Sequence, residues 1–590
     1  MTTTTTPSSA DSAANMGIDT GTGDTDRSHD LSQSLDRLSA DERMKDASDY
    51  LRGTISTGLL DRITGAVPSS DDVKLMKFHG IYQQDDRDIR DERRRQKLEP
   101  AFQFMIRVRL PGGVCTPAQW LKLDELARGH GGETLRITTR QTFQFHWVLK
   151  DSLRPIIQGL HETLLDTIAA CGDDSRGVMC TVDPQSSRFH AEVSAMARRV
   201  SDHVIPKTRA YHEIWYGDER VASSEPEEPF YGRTYMPRKF KIGFALPPSN
   251  DIDVYAQDLG FIAIEGPDGL AGFNVAIGGG MGRTDQAPQT YPRLASVIGF
   301  VPADQVIACA DAVMTVQRNY GDRKERQRAR FKYTIDDKGL DWIKAEIERV
   351  MGASFEAARP YSFTANGDSY GWNTTPDGRH HRTIIIENGR LDLRQLNMLR
   401  DVARIHQGTF RVTPNQNVII AGVRTEDRAA IDALLAEHEP DIDAFSVVRR
   451  NAMACVALPT CGLAMAESER YLPSLLTRIE AILAENGLSE EPITIRMSGC
   501  PNGCSRPYIA EIGLSGRAPG KYNLYLGGGF HGERLNRMVR ENIGEPQILE
   551  ILGDALGRYA KERQPAEHFG DFTIRAGIVR EVTEGRFFND

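Results

Sequence analysis

The chain has 590 residues, 40% hydrophobic and 26% charged, which is ordinary globular composition and length enough for several domains around a large core. Its 72 Lys and Arg are outnumbered by 82 Asp and Glu, and the net charge of -10 argues against a general polyanion binder, although local basic clusters can still hold small anions. No apolar run approaches the ~20 residues needed to cross a bilayer, and no basic start followed by an apolar stretch marks a secretory signal. With only eight cysteines, four scattered and four gathered near the C-terminus, a reduced cytoplasmic protein is expected rather than a disulfide scaffold.

Residues 1–40, rich in Thr, Ser, Asp and Gly and poor in large apolar groups, read as a disordered tail. Its aspartates, Asp11, Asp19, Asp24, Asp26, Asp30 and Asp36, argue against an organelle transit peptide. Residues 41–104 read as an extended N-terminal arm. Within it DDRDIRDERRRQK, Asp85 to Lys97, is a mixed-charge run whose plainest reading is a solvated helix face.

An internal repeat follows. FMIRVRLPGGV leads to a helical pattern through Trp120, Leu123 and Leu126 and then to LRITTRQTFQFHWV. Much later RTIIIENGRL leads to a helix through Leu396, Leu399 and Val402 and then to FRVTPNQNVIIAGV. Arg136-Ile137-Thr138 aligns with Arg411-Val412-Thr413, and Gln141 with Gln416. Residues 105–168 and 371–442 therefore read as two pseudo-symmetric halves, with 169–370 and 443–590 as further domains. Strand side chains alternate faces. Arg107 and Arg109 share one face, and so do Lys239 and Lys241 in PRKFKIGFAL. In LRITTRQTFQFHWV, read as one strand, the polar Arg136, Thr138, Arg140, Thr142, Gln144 and His146 oppose Ile137, Phe143, Phe145 and Trp147.

Near the end a helix is predicted over Tyr471 to Glu485, closed by Asn486-Gly487, and the strand ITIRM delivers the chain to MSGCPNGCSRP. Cys455 and Cys461 are spaced C-x5-C, and Cys500 and Cys504 C-x3-C after 38 further residues. The x5 spacing fits zinc knuckles poorly. Pro501 and the glycines around the second pair suit a loop that lets the backbone approach cluster sulfides. From spacing, an iron–sulfur cluster is favoured over zinc or a purely structural role.

TCGLAMAE around Cys461, followed by GCPNGC, resembles the cluster signature of siroheme-dependent sulfite and nitrite reductases. ERMKDASDYLRG, FHGIYQQDDRDIRDER, RLPGGV, RQTFQFH, TRAYHEIW, YMPRKFKIGFALPPSNDID and GDFTIRAGIV resemble, in order, the hemoprotein (beta) subunits of NADPH-dependent assimilatory sulfite reductases. The resemblance covers nearly everything from Asp41 onward. It implies an α+β fold: a pseudo-two-fold repeated ferredoxin-like (parachute-like) domain plus two larger α/β domains for siroheme and cluster. It also implies that Cys455, Cys461, Cys500 and Cys504 hold a 4Fe–4S cluster and that Cys504 bridges to the siroheme iron.

By the same resemblance Arg107, Arg176, Lys239 and Lys241 surround the substrate. Arg176 sits in DDSRGVMC, which differs at several places from the family's D-x-N-R-N-V. Arg136, Arg140, Gln144, His146, Arg330 and Asn502 match cofactor-binding positions. His146 has a satisfied core histidine as its alternative, and Arg330 a solvated helix within GDRKERQRARFK. Thr139 stands where asparagine is usual. The glycine triplets at 278–280 and 527–529 either offer backbone N–H groups to siroheme carboxylates or make tight turns.

The expected activity is six-electron reduction of sulfite to sulfide in sulfur assimilation. Electrons would come from a separate NADPH-oxidising flavoprotein (FAD/FMN) subunit in a hetero-oligomer, because no flavin or NADPH module is visible in this chain. A ferredoxin-dependent sulfite reductase and a siroheme nitrite reductase are the alternatives within the class. A zinc-bound scaffold or nucleic-acid-binding protein is the alternative outside it. The tail and the mixed-charge run are candidate docking elements.

Overall fold

The computed structural model describes residues 35–182, 187–207, 213–216, 219–223, 228–439 and 444–590; the expected tail, up to residue 34, and most of TRAYHEIW lie outside them. Four five-stranded sheets organise the described chain, and they come as two matched pairs.

The first pair is built by the sequence repeat. One sheet runs Ile81–Asp85, Phe102–Arg107, Phe143–Val148, Leu135–Ile137, Arg390–Leu391; the other runs Gly371–Thr374, His380–Ile384, Val418–Val423, Thr409–Val412, Val114–Cys115. Every neighbouring pair in both is antiparallel. Each half donates its short strand to the other's sheet, so the halves interlock. The helices behind them start alike. Thr116 and Gln119 form a reciprocal cap on Pro117–His130, and Asp392 and Gln395 do the same on Leu393–Ile405. These helices pack on each other. Trp120, buried between them, meets Phe143 of its own half at 5.5 Å and Phe410 of the other at 4.8 Å.

The stretch read as one alternating strand is instead a hairpin. Leu135–Ile137 turns back onto Phe143–Val148, pairing Arg136 with Gln144 and Ile137 with Phe143. Gln141 takes a left-handed φ of 53° at the turn, and Thr138 N–H donates to the Thr142 carbonyl at 2.8 Å. The second half repeats the device with Gln416 at φ 72° and Thr413 N–H donating to Asn417 at 2.9 Å. The alternating pattern hid the turn because both arms carry polar residues at even positions.

The second pair of sheets shares a different topology. Met179–Cys180, Ile242–Ala245 and Leu259–Gly266 are parallel, and Gly269–Ile277 and Ser296–Pro302 follow antiparallel. Ala452–Ala454, Ile495–Ser498 and Ile512–Ala518 are likewise parallel, followed antiparallel by Lys521–Leu526 and Arg537–Ile543. The predicted helix appears as Leu472–Glu485, with Leu472, Leu475, Leu476, Ile479 and Leu483 buried. One continuous core extends from Met44 to Leu435, and a separate one from Val448 to Val579. Tyr291, Tyr333, Tyr508, Tyr525 and Phe588 join in a third cluster that seals them together.

The stretch read as an extended arm carries the short helices Ala40–Ala47, Ile55–Leu60 and Ser70–Leu75 before Ile81–Asp85 joins the first sheet as an edge strand. No helix of the described residues is long and apolar enough to cross a membrane.

Candidate functional site

The thiols sit at the carboxyl ends of two adjacent parallel strands, where α/β sheets commonly form sites. Ala454 pairs with Met497, so Cys455 emerges beside Gly499 and Cys500. Gly499 N–H points at the Cys455 sulfur at 3.3 Å, and the Asn502 amide at the Cys500 sulfur at 3.5 Å. Cys500 is buried, Cys455 and Cys461 are half-buried, and Cys504 is exposed. Burial pushes the Cys455 thiol up to about 12, and the neighbouring Cys504 and Cys461 sulfurs push the same way. Cys461 and Cys500 are raised for the same reasons. The four sulfurs are thus mutual neighbours; burial holds Cys455, Cys461 and Cys500 as thiols in the bare chain, and binding a metal group there would release protons.

A group of cations gathers around Lys239, which neighbours Cys504. Arg176 N–H donates to the Phe240 carbonyl at 2.8 Å and Phe240 N–H to Asp174 at 2.9 Å, which lays Arg176 alongside Lys239 and Lys241. Lys239 is driven down to about 7 by burial and by Arg238, Arg330 and Arg176, with Cys504 pulling the other way. Lys241 is lowered well below its usual value by burial, Lys239, Arg140 and Arg330. Neither ammonium has a hydrogen-bonded partner among the described residues. Arg107 leaves the end of its strand opposite Gln144. With the Gln144 amide oxygen turned toward it, Arg107 donates from Nη2 at 2.6 Å and Nε at 3.2 Å, while Nη1 reaches the Cys171 sulfur at 2.9 Å.

The residues expected at the cofactor divide by what already holds them. Arg140 donates to Gln257 Oε1 at 2.9 Å and the Gly177 carbonyl at 2.7 Å, and burial with Arg176 and Arg506 nearby lowers it to about 9. Arg136 is spent on Glu469 at 2.6 Å and the Ala454 carbonyl at 3.0 Å, tying the hairpin to the segment that ends in Cys455. Arg330 forks onto Asp258, with Nη2 3.0 Å from both oxygens. The N–H groups of Gly278, Gly279 and Gly280 go to the carbonyls of Asp258, Gln257 and Arg293, and those of Gly527 and Gly529 to Glu511 and Arg534. These triplets are therefore backbone-packing turns, and those donors are not left for carboxylates.

Several supporting residues escaped the sequence reading. Thr139 Oγ1 donates to the Cys504 carbonyl at 3.0 Å. The Thr139 carbonyl accepts from Arg506 at 2.9 Å, and Arg506 is locked with Arg496 onto the buried Asp253. NDID and CSRP carried this link in plain view, but nothing local pairs residues so far apart.

The unpartnered polar atoms of this region suit an anionic, hydrogen-bonding group. His146 is fully buried, and neither ring nitrogen has a partner among the described residues. Burial and Arg390, Arg136 and Arg107 hold it neutral, well below its usual value. An orphaned imidazole, two unpaired ammoniums and four thiols fit a polycarboxylate macrocycle beside a thiolate-held cluster.

Comparison with known proteins gives consistent findings. A family model for the nitrite and sulphite reductase 4Fe-4S domain matches residues 195–355. One for the nitrite/sulfite reductase ferredoxin-like half domain matches 95–163 and 373–438. The first match covers four of the five strands in one of the two sheets of common topology; the thiols lie on the other sheet. Among curated proteins, the sulfite reductase [NADPH] hemoprotein beta-component of Nitrosomonas europaea is 71% identical over 570 residues, 96% of this chain and 99% of that one. The protein of the same name from Geobacillus kaustophilus is 57% identical over 93% of this chain and 97% of its own. The structure of Mycobacterium tuberculosis NirA superposes with a TM-score of 0.74 over 91% of this chain and 96% of its own, at 24% identity, a likeness of fold.

Proposed function

The chain belongs to the nitrite and sulfite reductase family, and from that footing we propose that it is the hemoprotein component of an NADPH sulfite reductase, reducing sulfite to sulfide at a siroheme coupled to a 4Fe–4S cluster. The observation that carries this reading is a cluster of four neighbouring thiols whose Cys504 faces Lys239, itself gathered with Lys241, Arg176 and Arg330. A "beta-component" has a counterpart, and we assign that counterpart as an NADPH-oxidising flavoprotein.

Cys455, Cys461, Cys500 and Cys504 would hold the cluster, with Cys504 shared with the heme iron; His146, Arg140 and Asn502 would face the heme and its surroundings. When bound, these groups supply an iron for sulfur and a store of electrons. The chain's own residues do the rest. Arg107 and Arg176 hold the oxyanion, because a planar guanidinium matches oxyanion geometry. Gln144 keeps the Arg107 fork in place. Lys239 and Lys241 give protons to the departing oxygens, since burial and neighbouring cations weaken their hold on a proton. Thr139 and Arg506 fix the Cys504 loop so that its sulfur stays under the cations.

The test is the absorption spectrum of the purified chain with an anaerobic assay offering sulfite and nitrite in turn. Heme and iron–sulfur bands with sulfite turnover, supported by a flavoprotein donor and favoured over nitrite, are expected. A colourless, zinc-containing protein overturns the reading.

A further inference from the structure

The mixed-charge run Asp85 to Lys97, a solvated face by its pattern, is folded onto the outer flank of the Cys461 loop. Arg87 N–H donates to the Pro459 carbonyl at 3.2 Å. Its Nη1 reaches the Cys461 carbonyl at 3.1 Å and also the Ala464 carbonyl. The next residue, Asp88, accepts from Arg470 at 2.6 Å and 3.2 Å, and Arg470 is braced in turn by Glu467 at 3.1 Å. On its own side the run is stiffened by Arg90, which forks onto Asp85 at 2.7 Å and 2.6 Å, and by Asp86 N–H on the Ala101 carbonyl at 3.1 Å.

The loop it grips is thinly supported from outside. No heavy atom lies within 4 Å of where a Cβ on Gly462 would stand, and Leu463 is 68% exposed. Inside, the loop closes through Cys461 N–H on Ala457 at 2.9 Å and Met465 N–H on Gly499 at 2.8 Å. Arg87 thus clamps three carbonyls of the segment that carries a thiol, two through its guanidinium and one through its backbone N–H, with Cys461 374 residues away in sequence. A charge placed there has an electrical consequence as well as a mechanical one. Each electron accepted by a thiolate-held cluster adds negative charge, and a fixed cation a few ångströms off favours the reduced form.

We infer that residues 85–90 form a strap that fixes the Cys461 loop, with Arg87 the positioning residue that also raises the reduction potential of a cluster held there; the electrical part rests on the reading of the four thiols as cluster ligands. The experiment compares the purified full chain with Arg87→Met, Arg87→Lys and Asp88→Asn. Three quantities are read: hydrogen exchange of residues 459–465 in cofactor-free chain, the rate of iron loss to a chelator, and the cluster midpoint by EPR-monitored titration. Arg87→Met is expected to exchange and lose iron several-fold faster. Its cluster should also become about tenfold harder to reduce, which for one electron is ~59 mV. Arg87→Lys keeps the charge and withdraws the guanidinium Nη1 from the two carbonyls, and Asp88→Asn loosens the strap without removing Arg87. Both should speed exchange and iron loss while leaving the midpoint near that of the parent.

If Arg87→Met retains no cluster, the exchange and chelator rates of the two milder variants decide, and parent-like rates in both overturn the strap. Parent-like exchange, iron loss and midpoint in Arg87→Met overturn it outright. An unshifted midpoint with faster exchange overturns the electrical role alone. A parent chain that holds no iron or sulfide refutes the reductase reading instead, and the exchange measurement still judges the strap.

Discussion

Lys239 shows what the site does to a single residue. Its usual value of 10.5 falls to about 7, so in the cofactor-free chain the unfolded state binds more protons between those limits and stability rises with pH across that window. Lys239→Met removes the penalty. It should stabilise the cofactor-free chain at pH 7, by a margin in Tm that shrinks toward pH 10; a margin constant with pH would refute the shifted lysine. In the loaded protein the same substitution should lower sulfite turnover about a hundredfold, the usual scale for a lost proton donor, with heme and iron content unchanged. Cys504→Ser should leave heme and cluster magnetically uncoupled, read by EPR and Mössbauer spectra; an intact coupled spectrum excludes the bridge. Both lysines were legible from alternation and resemblance, because a strand's faces are set locally. Thr139 was legible only as a departure from pattern, since its bond to Cys504 joins residues 365 apart.

At the scale of elements, the repeat explains why the site is built once although its scaffold is built twice. Arg107 faces Gln144 across one sheet, and Thr383 faces Ile419 at the matching place in the other. Arg140 holds a guanidinium at the hairpin turn, where its counterpart Asn415 carries an amide bonded to Asp368 at 3.0 Å. The second half keeps the fold and lacks a cation at these two places. The halves depend on each other through Trp120, which is 1% exposed between Phe143 and Phe410. Trp120→Ala should lower the unfolding free energy by about 3–5 kcal/mol in denaturant melts, and a smaller loss would mean that the exchanged strands alone hold the halves together. Helix limits were readable in advance because caps and apolar spacing are local signals. The hairpin was not, because a turn between two arms of like polarity leaves the period-two pattern unbroken.

At the scale of the whole molecule, a buried charge network links the N-terminal helix to the segment that carries Arg176. Arg323 donates to Glu42 at 2.6 Å with both side chains buried, and Lys45 and Arg326 hold Asp173, three residues before Arg176. Deleting residues 1–40 should leave cofactor content intact and weaken flavoprotein binding; unchanged affinity takes the tail out of the docking surface. Deleting through Ala47 removes the carboxylate opposite Arg323 and should destabilise the chain by about 3–5 kcal/mol, checked by thermal melts of the two truncations side by side.

The amino-acid sequence alone determined the family, the duplicated α+β plan, the four thiols and the basic strands, because motif order, helical spacing and strand alternation are written within a few residues of one another. Tertiary structure decided that the Lys239 and Lys241 ammoniums stay without a hydrogen-bonded partner among the described residues, that Arg136 and Arg330 are engaged by Glu469 and Asp258, that Gly278–Gly280, Gly527 and Gly529 spend their N–H groups on backbone, and that a run of alternating charges grips the Cys461 loop. Those outcomes depend on which acid, carbonyl or ring arrives from hundreds of residues away. The free energy of a buried charge is set by that neighbour rather than by anything adjacent in the chain.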